Sequence, residues 1–284
     1  MQKLCFLSMD DLGDYVSDDE LVIEPLREFG WEVEIVSWRA KDIDWTRFEA
    51  VIIRTPWDYQ DEPKEFLKVL QEIENSTRLE NPLKIVEWNL SKSYLKDLEK
   101  GGIKIVPTIF GNDLVNNDLV DSWFEYFGAE EIIIKPIVSA TAQDTFRLKE
   151  FSPKLTDIFR GRQYLVQPFM KNIVAEGEFS LFYFDGSFSH AILKTPKQDD
   201  FRVQEEFGGI ITAIEPSEKL LKAGEKALEQ IGQKLLYARV DFVRDDVDEF
   251  ALMELELIEP ALYFRMNRES SKRFAEAFNK WMKK

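Results

Sequence analysis

Near its C-terminal end the chain runs Tyr237-Ala-Arg-Val-Asp-Phe-Val243 and then Phe250-Ala-Leu-Met-Glu-Leu-Glu-Leu-Ile-Glu-Pro260, two strand-like stretches with acids among core-type residues. Alternate residues of a strand share a face, so Glu254 and Glu256 point the same way. Leu252, Met253, Leu255, Leu257 and Ile258 around them are as apolar as any buried strand. A hairpin through Arg244–Glu249 brings Asp241 onto the face of the two glutamates. Three crowded carboxylates repel one another and are costly to desolvate unless a cation neutralises them. Hard oxygen ligands of this kind suit Mg²⁺, whose shell usually also holds waters and substrate phosphates. A sheet with one wet face gives the same alternation, and the glutamates then simply face water. Two details favour the metal reading. Arg239 and Asp241 also share a face, and Glu259-Pro260 breaks the strand so that the acids stand at its end, where sites in open sheets tend to lie.

Composition narrows the chemistry. The 284 residues hold 37 basic and 53 acidic side chains, a formal net charge of −16. An acidic surface disfavours nucleic acid and anionic membranes, whose phosphates want Lys and Arg clusters. No run reaches transmembrane length and no signal peptide is expected, so the expected setting is cytoplasmic. The single cysteine, Cys5, excludes an internal disulfide framework and reads as a core thiol. The single histidine, His190, cannot build a multi-histidine zinc site and reads as a strand residue on a polar face. No Gly-x-Ser-x-Gly marks a nucleophilic serine. Carboxylates, lysines and arginines are left to do the work.

Strand and helix signals alternate through residues 1–89: strands at Lys3–Met9, Glu32–Trp38 and Ala50–Ile53, helices at Leu21–Phe29 and Pro63–Ile73. That order predicts a small α/β domain on a parallel sheet. No Gly-x-Gly-x-x-Gly follows the first strand, which argues against a dinucleotide fold. A second unit, 90–165, opens with a helix capped by Ser91 and closed by Gly101-Gly102, and continues with strands at Ile103–Ile109 and Ile132–Pro136 around a helix near Leu114–Phe127. The third, 166–284, contains a hairpin, Phe179–Phe184 and Ser187–Lys194, turned by Asp185-Gly186. A helix at Glu218–Leu235, the two acidic strands and a helix at Ser271–Met282 complete it.

Three lysines occupy positions that need an anion. Lys92 falls in the first turn of its helix, Lys135 ends the Ile132-Ile-Ile run, and Lys194 closes a hairpin strand before Pro196. The hydroxyl-rich Val138–Thr145 loop, with Ser139 near its start, either offers N–H and hydroxyl groups to phosphates or is an ordinary connection. No P-loop pattern occurs.

Taken in order from about Asn89 to Asn267, these residues resemble the ATP-grasp superfamily of carboxylate–amine ligases. Closer still is the similarity to its cycloserine-pathway (O-ureido-serine) cyclo-ligase group, carried by Ile53-Arg-Thr-Pro-Trp-Asp-Tyr59, Gly186-Ser-Phe-Ser-His-Ala191, Asp200-Phe-Arg-Val-Gln204 and Glu254-Leu-Glu-Leu-Ile-Glu-Pro260. The resemblance implies an N-terminal α/β domain and two lobes that clasp ATP. Lys92 and Lys135 would hold the phosphates, with Ser139 beside them. Gln167-Pro168-Phe169 would be the linker pairing with adenine, and Glu178 would bind the ribose. Asp241, Glu254 and Glu256 would hold Mg²⁺, with Mn²⁺ as a substitute. Phe201-Arg-Val-Gln204 and Gly208-Gly209 would lie at the substrate end. The common pattern has asparagine where this chain has Glu256 and Gln204.

The implied chemistry joins a small amino-acid-like carboxylate to an amine-type nitrogen through an acyl phosphate, with the two ends in one molecule in the cyclising case. Lys194 would help neutralise the γ-phosphate, Arg239 the oxyanion, and Arg202 and Arg54 the substrate carboxylate or leaving phosphate. Trp57 and Tyr59, beside Arg54, either reach the site or pack one domain on another. A homodimer is compatible with this reading. The rivals are a nucleotide-binding sensor and a small-molecule kinase.

Overall fold

The computed structural model describes residues 1–140 and 142–284. Its first sheet is parallel, in the order β2-β1-β3-β4, and is built from β1 (Gln2–Ser8), α1 (Glu20–Glu28), β2 (Trp31–Ser37), β3 (Ala50–Thr55), α2 (Pro63–Ser76) and β4 (Arg78–Glu80). All six residues of β3 are buried, as expected of a parallel strand covered on both faces. The amphipathic α2 turns Phe66, Leu70 and Ile73 onto one face, and Val22 and Leu26 of α1 pack on the other. Cys5 lies within this core, fully buried.

After α3 (Leu83–Leu90) and α4 (Tyr94–Lys100) comes an antiparallel sheet. It comprises β5 (Ile109–Gly111), β6 (Ile132–Pro136), β7 (Phe146–Leu148) and β8 (Tyr164–Pro168), in the order β5-β8-β6-β7, with α5 (Asn117–Phe127) and α6 (Lys154–Ile158) packed on it. Asn116 caps α5 by accepting the Leu119 N–H at 2.9 Å. The apolar run Ile103–Ile109, expected as one strand, is split by Pro107, which has no N–H to donate. Only its end enters β5. Its start runs beside the acidic hairpin, where the Lys104 carbonyl accepts from the Leu252 N–H at 2.9 Å.

The third sheet is antiparallel, ordered β11-β10-β9-β12-β13. Its elements are α7 (Asn172–Ala175), β9 (Glu178–Phe184), β10 (Ser187–Thr195), β11 (Ile210–Ile214), α8 (Glu218–Glu229), β12 (Tyr237–Arg244) and β13 (Phe250–Glu256), followed by α9 (Ser270–Trp281). Asp185 and Gly186 turn β9 into β10 at φ 49° and 72°, the left-handed pair a two-residue hairpin requires. Helix α8 stops at Glu229, short of the expected Leu235, and Gly232 follows at φ 74°. No helix among the described residues is long and apolar enough to cross a membrane.

Strand β13 is the sheet's edge, and its free side is covered by side chains from other elements. Asn89 donates to the Leu255 carbonyl at 2.8 Å and accepts from the Leu257 N–H at 2.9 Å. The Tyr94 hydroxyl accepts from the Leu255 N–H at 2.9 Å. Just beyond the strand Asn81 ties three buried backbone groups, donating to Tyr237 and Leu257 carbonyls and accepting from Leu236. His190 departs from expectation: it is buried on the core face, stacked on Phe182 at 4.3 Å, with one ring nitrogen donating to the Leu262 carbonyl at 3.0 Å. A bulge between Phe188 and His190 shifts the β10 alternation that a period of two would have given.

Two stability outcomes follow from these contacts. Stranding a buried backbone group costs about 1–3 kcal/mol, so Asn81→Ala is expected to lower the unfolding free energy by about 3 kcal/mol or more, measured by urea titration. Burial, with Arg273 adding, lowers the His190 pKa to about 4 against the pull of the Leu262 carbonyl. Below about pH 6.5 the unfolded chain therefore takes up a proton that the folded chain refuses. Stability should be fully present above pH 6.5 and fall by up to about 3 kcal/mol toward pH 4, and the fall should shrink in His190→Gln.

Candidate active site

The cleft between the β5-β8-β6-β7 sheet and the β12–β13 hairpin encloses about 1670 Å³, its open mouth included. Its acidic floor follows from register. Asp241 stands opposite Glu254 and Arg239 opposite Glu256, with a bulge after Asp241. Val240 and Leu255, between them in sequence, go to the core on the other face. Lys135 enters from β6, Lys194 from β10 opposite Glu178, and Lys92 from the link between α3 and α4. Lys92 was expected in the first turn of a helix capped by Ser91; α4 instead begins at Tyr94, after Ser93. The Ser91 hydroxyl accepts from the Ser93 N–H at 3.3 Å, and this turn leaves Lys92 free to cross the cleft.

Opposite charges meet across this space. Lys92 donates to Glu254 at 2.7 Å and to the Ser139 carbonyl at 2.8 Å. Lys194 donates to Glu178 at 2.6 Å and lies 3.6 Å from Asp241. Arg239 contacts Asp241 at 3.1 Å and also bonds Glu256. Burial works against the Lys194 charge, as does Arg239, yet Asp241 and Glu178 outweigh them and hold the ammonium more firmly than in free lysine. Lys135 is the opposite case: burial lowers its pKa despite Glu254. Burial would raise Asp241 and Glu254, but Arg239 and Lys194 on one, and Lys92 and Lys135 on the other, keep both below the usual range. Glu256 is pushed up to about 8 by burial, against Arg239, with Asp241 and Glu254 adding to the rise.

Among the described residues no group of three or more Asp, Glu, His or Cys is already drawn together as a metal cage. The donor set nevertheless suits a hard dication. Asp241, Glu254 and Glu256 share the cleft and offer it the oxygen donors such an ion takes.

The other sequence-predicted residues are placed as follows. Gln167, Pro168, Phe169, Ser139, Glu178, Arg202 and Gln204 all line the cleft. The Phe169 N–H is taken by the Glu131 carbonyl at 2.9 Å, so that amide is not available to a base. Arg202 lies over Phe207 at 3.7 Å and is held by Asp200 at 2.8 Å. Gln204 Oε1 is buried with no donor among the described residues. Arg54 does not line the cleft: it is 1% exposed, bonded to Asp19 at 2.9 Å and to the Pro260 carbonyl at 3.2 Å. Its strand is buried on both faces, so the guanidinium locks the N-terminal sheet onto the chain beyond β13. Gly208 and Gly209 also stand outside the lining and shape the loop behind it. Gly208 has φ 85°, and a Cβ at Gly209 would come 2.0 Å from the Val203 carbonyl. In the Val138–Thr145 loop, Thr141 lies outside the described residues.

Sequence reasoning missed an apolar wall of Val106, Ile133, Met170, Ile173, Val203 and Met253. A planar base could slide between such side chains. It also missed Tyr15, Glu259 and Tyr263, which lie on loops where no period flags them.

A family model described as the N-terminal domain of D-cycloserine synthetase DcsG matches residues 4–81. The cycloserine biosynthesis protein DcsG of Streptomyces lavendulae is 29% identical, covering 92% of this chain and 93% of that protein. A crystal structure of D-cycloserine synthetase DcsG superposes with a TM-score of 0.85 at 27% identity, over 99% of both chains. The fold is shared more widely. The ATP-grasp ligase PsnB gives a TM-score of 0.68 at 17% identity over 99% of both chains. The D-alanine–D-alanine ligase of Bacillus anthracis gives 0.66 at 14%, over 99% of this chain and 97% of that one. Fold and clustered site together define an ATP-grasp ligase, an enzyme that forms a carbon–nitrogen bond. Within that class the chain is a homologue of DcsG.

Lys194 sits between two buried acids, and removing it strands Glu178 while leaving Asp241 to Arg239. Breaking a buried pair from one side costs about 3–5 kcal/mol. Lys194→Met is expected to lose that much in chemical denaturation, and Lys194→Met/Glu178→Gln to recover part of it.

Proposed function

We propose that the protein is an ATP- and Mg²⁺-dependent ligase that activates the carboxylate of a small amino acid as an acyl phosphate and closes it on a nitrogen of the same molecule. The observation that carries this reading is the meeting of Lys92, Lys135 and Lys194 with Asp241, Glu254 and Glu256 in one cleft. Residues 1–89 are then the N-terminal domain, and 90–165 and 166–284 the two lobes about the nucleotide.

Adenine would lie against the Met170, Ile173 and Met253 wall beside Gln167-Pro168-Phe169, with the ribose toward Glu178. Lys92 and Lys135 would take the phosphates, near the Ser139 backbone. A substrate carboxylate attacking the γ-phosphorus brings two anions together. Lysines 135 and 194 lower that repulsion in a site shielded from water, where fixed charges act most strongly. Asp241, Glu254 and Glu256 would hold the metal, whose chemistry is charge neutralisation on the transferred phosphoryl group. The internal nitrogen then attacks the acyl carbon, and phosphate leaves with the bonding electrons of the carbon–oxygen bond. Arg239, fixed by Asp241, faces the cleft where the tetrahedral oxyanion forms. Arg202 and Gln204 would orient the acid, the free Gln204 acceptor taking a substrate N–H.

The relatives named for cycloserine make O-ureidoserine the first substrate to try. With Mg²⁺ and ATP it should release ADP and phosphate and yield a five-membered ring detectable by mass spectrometry. ADP release without a ring or amide product would favour the kinase reading, and nucleotide binding without turnover the sensor. Loss of one oxyanion donor typically costs about 10²–10³ in turnover. Arg239→Ala should therefore keep ATP binding and lose product, while Glu254→Gln should abolish metal-dependent ATP turnover.

A further inference from the structure

The acids inside the cleft are matched by cations with one exception. Glu178 and Asp241 face Lys194, Glu254 faces Lys92, and Glu256 faces Arg239. Toward the mouth, Glu205 is bonded by Arg265, and Glu206 is exposed to water. Glu259, three residues beyond Glu256, has no ion-pair partner among the described residues, although it lines the cleft and is half-buried. A carboxylate in such a place is costly unless a positive group comes to it.

Its surroundings fit one kind of positive group. The Tyr59 hydroxyl faces the Glu259 carboxyl, and Trp57 fixes the backbone there by donating Nε1–H to the Glu259 carbonyl at 2.9 Å. Tyr15 packs edge-on against Trp57 at 5.5 Å. Tyr15, Trp57 and Tyr59 all line the cleft beside Glu259. A carboxylate with aromatic side chains lining the cleft around it suits an alkylammonium, which takes the ion pair and finds apolar neighbours for its carbon chain. A metal would demand more oxygen donors than one glutamate and a phenol supply.

We infer that Glu259, with Tyr59 and the Tyr15–Trp57 wall, is the receptor for the free ammonium group of the amino-acid substrate. This inference rests on the ligase reading and adds the substrate class: an acid with an unmodified, protonated amine near its carboxylate. An α-carbon holds the two groups together, so the receptor has to line the cleft in which the carboxylate is activated. Glu259 does this on the same chain segment as Glu254 and Glu256. The ammonium stays protonated and is not the attacking nitrogen, because its ion pair ties up the proton that a nucleophile would have to shed.

The test compares wild type, Glu259→Gln and Glu259→Asp with ATP and Mg²⁺, using O-ureidoserine, its N-acetyl derivative and the matching α-hydroxy acid. Wild type should favour the free amine by about 100-fold or more in kcat/KM, the order expected of a shielded charge pair. Glu259→Gln should raise the KM for the amine about 100-fold, leave the KM for ATP within about twofold and erase the preference over the hydroxy acid. Glu259→Asp should restore part of it. A normal KM or a retained preference in Glu259→Gln overturns the inference and leaves the ligase reading standing. Calorimetric binding of the same three compounds to protein loaded with Mg²⁺ and a non-hydrolysable ATP analogue separates the opposite case. Amine-selective binding lost in Glu259→Gln, without turnover, upholds the receptor and sinks the ligase. No amine-selective binding and no turnover in wild type overturns both.

Discussion

The site depends on the pairing of β12 with β13. Side chains alternate across a strand, so a slip of one residue would send Arg239 and Asp241 into the core and bring Val240 into the cleft. The observed register sets Asp241 against Glu254 and Arg239 against Glu256, and puts Leu255 and Val240 on the opposite, buried face. Apolar burial on one side thus fixes polar chemistry on the other. β12 also pairs with β9, and Asp241 lies opposite Ser180. The acids are therefore held from both neighbouring strands.

Charge is the second organising quantity. The cleft carries lysines and arginines in numbers that nearly match its acids, and each buried carboxylate except Glu259 leans on one of them. A polyanion alone would draw Lys92 away from Glu254, and a dication alone would compete with Arg239 for Glu256. Entering together they exchange these internal pairs for external ones with little change in net charge. This makes nucleotide and metal natural co-ligands here. Lys135, held below its ordinary pKa by burial, has the most to gain from a phosphate.

Much of this was legible in the chain. The period-two acids of 250–256, the Asp185-Gly186 turn and the strand-helix alternation before residue 80 each leave a local signature, and each appears in the fold. What escaped the sequence depends on distant partners. Arg54 follows a buried strand and looks placed for substrate, but Asp19 and Pro260 claim it. Glycines 208 and 209 read as substrate contacts, although close approach to Val203 and a left-handed turn explain them. Tyr15 and Glu259 join Tyr59, already named beside Arg54, from separate loops, and no spacing in one dimension announces such a meeting. Helix α3 was missed because its apolar residues merge with the polar link that follows it.

The covered side of β13 bears on how the protein behaves in crowded solution. An edge strand with bare amides is a template for a neighbouring molecule. Asn89, Tyr94 and the Lys104–Val106 segment occupy those amides with groups from the chain itself. The other border, β11, ends the sheet with Ile210 61% exposed and Ile211 beside it. Sticky growth between copies would therefore start from the rim farthest from the acids, so the strand bearing Glu254 and Glu256 is the last part of the sheet that misassembly would consume.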